Sequence, residues 1–271
     1  MKNSSIIRVL FLYLDAIISP RKEVRYMKLL NKLLLTLSLV LIFGYVKAEE
    51  CLIVNNENVE IPCNLYEQLN NYYSTNFLSF MTSYEYDQIK NSDLSQIETI
   101  TLTDTNPLLD GNVYNPNGTY FQTSYKELRI TRNGDFINAN LRWIQNPQVR
   151  SYDVFGIRFL GPHIVGTPLF REYYTIGNTT YSSSSYSRKD ATNGFGISVK
   201  LPVYNELESD LTFTYSGSGT IYASYQHAKT NVTLATSKKY TIAQGGYGNV
   251  LLFDNNVQIK YDNMTGVSIQ G

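Results

Sequence analysis

The chain has 271 residues, of which 43% are hydrophobic, 13% aromatic and only 17% charged, with 23 Tyr and a single Trp. That much apolar surface excludes intrinsic disorder, and the shortage of charge leaves Ser, Thr, Asn and Tyr to clothe the fold, as in a secreted β-protein. The formal net charge of +0 excludes little by itself, because the charges are unevenly placed.

The first 48 residues read as processing sequence. Residues 1–26 are a candidate N-terminal extension, with an apolar stretch at 6–18 interrupted by Arg8 and Asp15. Met27, Lys28 and Lys32 then precede the apolar run 33–45, and Val46-Lys47-Ala48 supplies small residues for cleavage. Residues 27–48 thus have the three regions of a secretory signal peptide. Their apolar run is well short of the ~20 residues that span a bilayer as a helix. Residues 1–48 hold eight basic and two acidic side chains, so the remainder carries a net charge of −6. No basic patch dominates that remainder, and no nucleic-acid partner is expected.

Cys51 and Cys63 follow the leader with eleven residues between them. In an oxidising compartment this spacing predicts one small disulfide loop. His163 and His227 sit in no ligand motif, so no metal and no other cofactor is expected. Beyond residue 48, four Asn-x-Ser/Thr sequons, at Asn117, Asn178, Asn231 and Asn263, are candidate glycosylation sites.

Within 64–80, Leu65, Leu69, Tyr72, Tyr73, Phe77 and Phe80 recur near a 3.6-residue period, which predicts an amphipathic helix. Residues 49–95 are therefore expected to form a small helical, disulfide-bonded head with a part in receptor binding. Tyr72, Tyr73, Tyr84, Tyr86 and, further on, Trp143 are the receptor-binding candidates, because such rings combine stacking area with a polar group. Each also fits a place in the core. Glu85 and Asp87 read as surface residues. From 97 to 103 the period becomes two. Residues 125–131 and 136–144 read as strands around Asn133-Gly134, a hairpin signal, and 154–160 and 164–174 as strands separated by Gly161-Pro162.

The stretch 173–243 is rich in Ser, Thr and Tyr. Residues 178–187 read NTTYSSSSYS, and Arg188, Lys189 and Asp190 open a polar tip. In 194–203, Phe195, Ile197, Val199, Leu201 and Val203 alternate with Gly194, Gly196, Ser198, Lys200 and Pro202, which predicts a strand with one apolar face. Glu206, Glu208 and Asp210 read as a solvated acidic loop at 204–210. Leu211, Phe213 and Tyr215 resume the alternation. Strands are then expected at 219–226, 229–242 and, after a Gly-rich turn, 250–261.

The order of these parts resembles the aerolysin-like β-pore-forming toxins, nearest the epsilon-toxin and mosquitocidal-toxin branch. The resemblance spans 95–260 and rests on Asn178-Thr179-Thr180, the Ser-rich arm, the run ATNGFGISVKLPVYNELESDLTFTYSGSG and the return Lys239-Tyr240-Thr241-Ile242. Members often have a Pro-containing segment where Ala243-Gln244-Gly245-Gly246 stands here. The likeness implies a mainly β, elongated fold of long twisted antiparallel strands, with 96–271 as the pore-forming domain. It implies a secreted protein that binds an unidentified glycan or protein receptor on a target membrane, self-associates into a ring and inserts one hairpin, at 178–203, with its tip at 188–193. Phe195, Ile197, Val199, Leu201 and Val203 would then face lipid. Ser182, Ser184, Ser198 and Lys200 would face the lumen.

Two readings stay open. A barrel strand alternates apolar outward and polar inward, but so does a half-buried strand of a β-sandwich. Neither face of 178–187 is apolar, and a competing hairpin would pair 195–203 with 211–215. The alternative to the pore is a secreted β-sandwich module that binds carbohydrate or another surface. No nucleophile elbow or phosphate loop is present, and no enzymatic activity is expected.

Overall fold

The computed structural model describes residues 50–104, 125–244, 250–262, 264 and 266–271. The extension, the leader, Asn117 and Asn263 lie outside these residues. Leu52–Gly271 forms one unit. Strands β1 (Leu52–Val54) and β2 (Glu60–Pro62) pair as a short ribbon, and helices α1 (Cys63–Leu69), α2 (Thr75–Phe80) and α3 (Ser83–Ile89) follow. Then come β3 (Glu98–Asp104), β4 (Lys126–Asn133), β5 (Phe136–Trp143), β6 (Tyr152–Leu160), β7 (His163–Ile176), β8 (Thr179–Ser183), β9 (Ser187–Ala191), β10 (Gly194–Lys200), β11 (Asn205–Ser216) and β12 (Thr220–Gln226). The chain closes through α4 (Leu234–Ser237), β13 (Tyr240–Ile242), β14 (Leu251–Phe253), α5 (Asn255–Gln258) and β15 (Val267–Gln270). Among the described residues no helix is long and apolar enough to cross a membrane.

The protein is mainly β, with antiparallel sheets. One sheet has the order β3-β4-β5-β11-β7-β8 and the other β15-β12-β6-β10-β9. Their inner faces share one core. Leu128, Ile130, Ile137, Leu141, Phe170, Leu211 and Phe213 come from the first sheet; Phe155, Ile157, Phe195, Ile197, Val199, Ile221 and Tyr225 come from the second. This is a two-sheet sandwich, in which one face of each sheet packs on the other across a shared core.

Each sheet is also covered on its outer side. The helices bury Leu69, Tyr73, Phe77, Leu78 and Ile89 with Phe136 of the six-stranded sheet. The ribbon β13/β14 and α5 bury Tyr240, Leu251, Phe253, Val257 and Tyr261 with Val154 and Tyr222 of the five-stranded sheet. Glycines make this second contact close. A Cβ on Gly196 would lie 2.2 Å from Tyr240 Oη, and one on Gly156 would lie 2.7 Å from Leu251 Cγ.

Several sequence expectations need correction. The helix expected at 64–80 is two helices, because Asn70 and Asn71 favour a turn and Ser74 caps a new helix by accepting from Phe77 N at 3.0 Å. The acidic loop at 204–210 is instead the first half of β11, with Glu208 and Asp210 buried. The strands expected at 229–242 and 250–261 each contain a short helix beside a three-residue strand.

Of the expected pairing of 178–187 with 194–203, only Ser187 opposite Ser198 occurs. Gly177, at φ +62°, and Asn178 turn the chain between Ile176 and Thr179, so β8 returns along β7 in the six-stranded sheet. A Gly-Asn pair is itself a hairpin signal. Residues 184–186 then cross to the other sheet, where β9 pairs with β10 around Thr192 and Asn193. The competing pairing of 195–203 with 211–215 is also absent, since β10 and β11 lie in different sheets. Cys51 and Cys63 are joined in a disulfide.

Candidate binding surface

The residues assigned to membrane insertion are divided between core and surface. Phe195, Ile197, Val199 and Leu201 are at most 2% exposed, inside the sandwich. Val203 lies beyond β10 and is 77% exposed. The four lumen residues share no face. Ser182 is half-buried on β8, and Ser184 is exposed in the crossing between sheets. Ser198 is buried on the outer side of β10, and Lys200 is exposed at its end. Arg188, Lys189 and Asp190 form part of β9 rather than a tip. Lys189 is clamped there. Its Nζ donates to Lys238 O at 2.9 Å and to Tyr240 O at 2.6 Å, and lies over the Tyr240 ring.

Two of the five receptor candidates, Trp143 and Tyr73, are buried. Trp143 is 5% exposed and packs edge-on against Tyr225 and His227. Tyr73 is buried, Tyr72 and Tyr86 are half-buried against the helical core, and Tyr84 alone of the set is exposed. Asn178 and Asn231 are exposed, the first in the turn between β7 and β8.

An aromatic surface forms elsewhere. Tyr174 of β7 stacks on Tyr181, directly opposite on β8, with ring centroids 6.0 Å apart and planes 19° apart. It also stacks on Tyr204, in the connection from β10 to β11, at 4.9 Å and 17°. Tyr174 leans on the sandwich core, whereas Tyr181 and Tyr204 are 44% and 39% exposed. Ile176 and Val203 are exposed beside them in the chain. The next residues form a β-bulge between Asn205 and Glu208, in which Glu206 takes a left-handed φ of +53°. Bulges of this kind re-aim neighbouring side chains, and the conformation is strained for Glu. The sequence offered a partial signal for the stack, since Tyr174 and Tyr181 sit symmetrically about the Gly177-Asn178 turn. Nothing local could have brought Tyr204 to them.

Charged groups cluster on the inside instead. Contrary to the surface reading of Glu85, that side chain is fully buried. It accepts from Arg171 Nη2 at 2.6 and 2.7 Å, from Thr212 Oγ1 at 2.7 Å and from Thr82 N at 2.9 Å. Burial opposes the charge on Arg171, yet Tyr173 and Glu85 beside it hold its pKa above the ordinary value. Asp210 accepts from Asn138 and Asn140, and Glu208 from Asn140 and Asn76. Burial, reinforced by Glu208, pushes Asp210 up to about 7.

Between the sheets, Asp153 accepts from Tyr225 Oη at 2.7 Å and Ala228 N at 2.9 Å, and contacts His227 Nδ1 at 2.9 Å. Glu172 is pushed up to about 8, first by burial and then by Asp153, with Arg150 opposing. Lys126 pairs with Asp262 nearby in sequence to Asn263. A pocket of about 190 Å³ lies between the β9/β10 turn and β13, lined by Lys189, Asp190, Asn193, Tyr240 and Gln244 among others. None of the buried acids lines it. Among the described residues no group of three His, Cys, Asp or Glu side chains is placed to hold a metal ion.

No protein-family model, no curated protein and no solved structure matches the chain.

Proposed function

We propose that the protein is a secreted β-sandwich module that binds a cell surface without entering the membrane. The observation that supports this reading is the seat of β10. It is an interior strand, paired with β6 on one side and β9 on the other, with Phe195, Ile197, Val199 and Leu201 in the shared core. Burying one such side chain is worth roughly 1.5–3 kcal/mol, so withdrawing four costs about 6–12 kcal/mol. That is of the order of the whole stability of a domain, about 5–15 kcal/mol. The strand that would have to face lipid is therefore a structural member of the sandwich, and the exposed tyrosines remain as the surface available to a partner.

Expression of the full chain in a eukaryotic secretory host tests the reading. The protein is expected in the medium, with residues 1–48 removed. Labelled protein should bind a panel of cells that includes red cells, stay monomeric on them and release no dye from loaded cells or vesicles. Failure to bind any cell, or dose-dependent leakage with ring formation, would overturn it.

The pore-forming reading keeps one observation in its favour. No residue in 179–191 is buried, and the segment supplies an edge strand to each sheet. It could detach at little cost in core area. In that reading the protein assembles into a ring on a receptor-bearing membrane and 179–191 leads insertion. Thr175 and Thr180 lie directly opposite on β7 and β8, so a disulfide between Thr175→Cys and Thr180→Cys would block leakage by that route.

A further inference from the structure

We infer that the stack of Tyr181, Tyr174 and Tyr204 is a binding site for a neutral saccharide. The inference rests on the surface-binding reading and names its ligand class. Three features of the stack point to a sugar ring.

The rings are nearly parallel, with successive planes 19° and 17° apart, and they come from two strands and a loop. Mutual stacking holds each ring in place before any ligand arrives, so little side-chain freedom remains to be lost on binding. The bulge at Asn205 and Glu206 sets the loop that delivers Tyr204. A pre-ordered aromatic plane suits the C–H face of a pyranose, which is flat, rigid and apolar on one side.

Charge stands at the borders of the segments that supply the rings, at Glu172, Arg188, Lys200 and Glu206, and not within them. Residues 173–187 and 201–205 contain no Asp, Glu, Lys or Arg. A phosphate, a sulfated glycan or an anionic headgroup would be held by Arg or Lys, and these segments provide neither. They provide hydroxyls and amides instead. Asn178, Thr179, Ser183 and Asn205 lie on the strands and turns around the stack. A neutral sugar needs this mixture of an apolar plane and hydroxyl partners.

A hydrocarbon surface is a poorer fit. Ile176 and Val203 are exposed near the rings, but Thr175, Gly177 and Asn178 surround the first and Asn205 lies two residues beyond the second. Asn178 heads a sequon three residues before Tyr181, so an attached glycan would compete for the same rings. The test therefore uses protein treated with an endoglycosidase.

The experiment is a neutral-saccharide array, followed by saturation-transfer NMR with lactose, maltotriose and N,N′-diacetylchitobiose as probes. Irradiation of the tyrosine ring protons should transfer to the C–H protons of a bound sugar. Tyr204→Ala and Tyr181→Ala should each weaken binding by about tenfold, the equivalent of one lost aromatic contact. Tyr204→Phe should retain most of it, and Ile259→Ala, which removes an exposed apolar side chain just after α5, should change nothing. Because the saturation-transfer signal is read on the unaltered protein, the result does not depend on a variant folding.

The inference is overturned if no neutral saccharide on the array binds, or if binding persists in the Tyr181→Ala/Tyr204→Ala double variant. It is also overturned if the tyrosines govern binding to phosphatidylcholine vesicles but not to sugars. Cell binding that survives in the double variant would leave the surface-binding reading standing and move its site elsewhere.

Discussion

The ion pair between Arg171 and Glu85 ties the helical layer to the six-stranded sheet, and its loss should be costly. Glu85 is completely buried, and Arg171 is 7% exposed. Replacing Glu85 with Gln keeps the shape but leaves the guanidinium without its counter-charge. Replacing Arg171 with Met leaves the carboxylate with only Thr212 and the cap of α3 to satisfy it. Breaking a buried pair from one side costs about 3–5 kcal/mol, because one charge stays buried alone. For a domain of this size each kcal/mol lowers the melting temperature by about 2–4 °C. Each single variant should therefore melt roughly 6–20 °C lower. The double variant should cost clearly less than the sum of the two, since neither charge then remains. Thermal and denaturant unfolding followed by circular dichroism read both quantities. Single variants that lose less than about 1 kcal/mol, or strictly additive effects, would refute the reasoning, because they would mean the pair is hydrated and separable.

Three further outcomes are expected. Gly196→Ala places a methyl group 2.2 Å from Tyr240 Oη, so overpacking should destabilise the protein by about 1–3 kcal/mol; a smaller residue at 240 should recover part of that, and an unchanged denaturation midpoint would contradict the close packing. Glu172 and Asp210 hold protons up to about pH 8 and 7 when folded, whereas the unfolded chain gives them up near pH 4. The folded state thus binds more protons between those limits, and stability should fall as pH rises from about 4 to 8, by up to roughly 1.4 kcal/mol per unit per group. Melting curves from pH 5 to 8.5 check the sign, and Glu172→Gln should flatten the slope. Reducing the disulfide between Cys51 and Cys63 should lower stability by about 2–3 kcal/mol, as expected for a loop of this length, measured as a shift in midpoint between oxidised and reduced samples.

Local pattern revealed some elements and misled on others, for physical reasons that can be named. The β4/β5 hairpin was legible because Asn133-Gly134 flags a tight turn, although the two loop residues are Gly134, at φ +57°, and Asp135. The disulfide was legible from spacing alone. Glu208 and Asp210 were misread because three acids within five residues, just after Pro202 and Asn205, look like a solvated loop. Their amide partners, Asn138, Asn140 and Asn76, come from β5 and α2, about 70 or more positions away in the chain. Glu85 failed in the same way, since Arg171 is 86 positions away. A charge reads as exposed until its distant partner is known.

The reading of 194–203 shows why one alternating strand cannot decide between a barrel and a sandwich. Four of its five apolar residues, Phe195, Ile197, Val199 and Leu201, point into the shared core, and Val203 does not. The other face was read as polar because it carries Gly194, Gly196 and Ser198. Those residues are small rather than wet. Gly194 and Gly196 leave the room that β6 and Tyr240 occupy, and Ser198 is as buried as the apolar residues beside it. Small residues facing a lumen and small residues facing a second packed layer give the same letters. What separates them is the partner on the far side, here the β13/β14 ribbon, which lies about 40 residues or more further along the chain. The segment 178–187 carried the opposite signal: it has no apolar face, and its place as an unburied edge that contributes Tyr181 to the tyrosine stack accords with that composition. The hydroxyl-rich stretch that first suggested insertion is thus better matched to a surface that meets another hydroxyl-rich molecule in water.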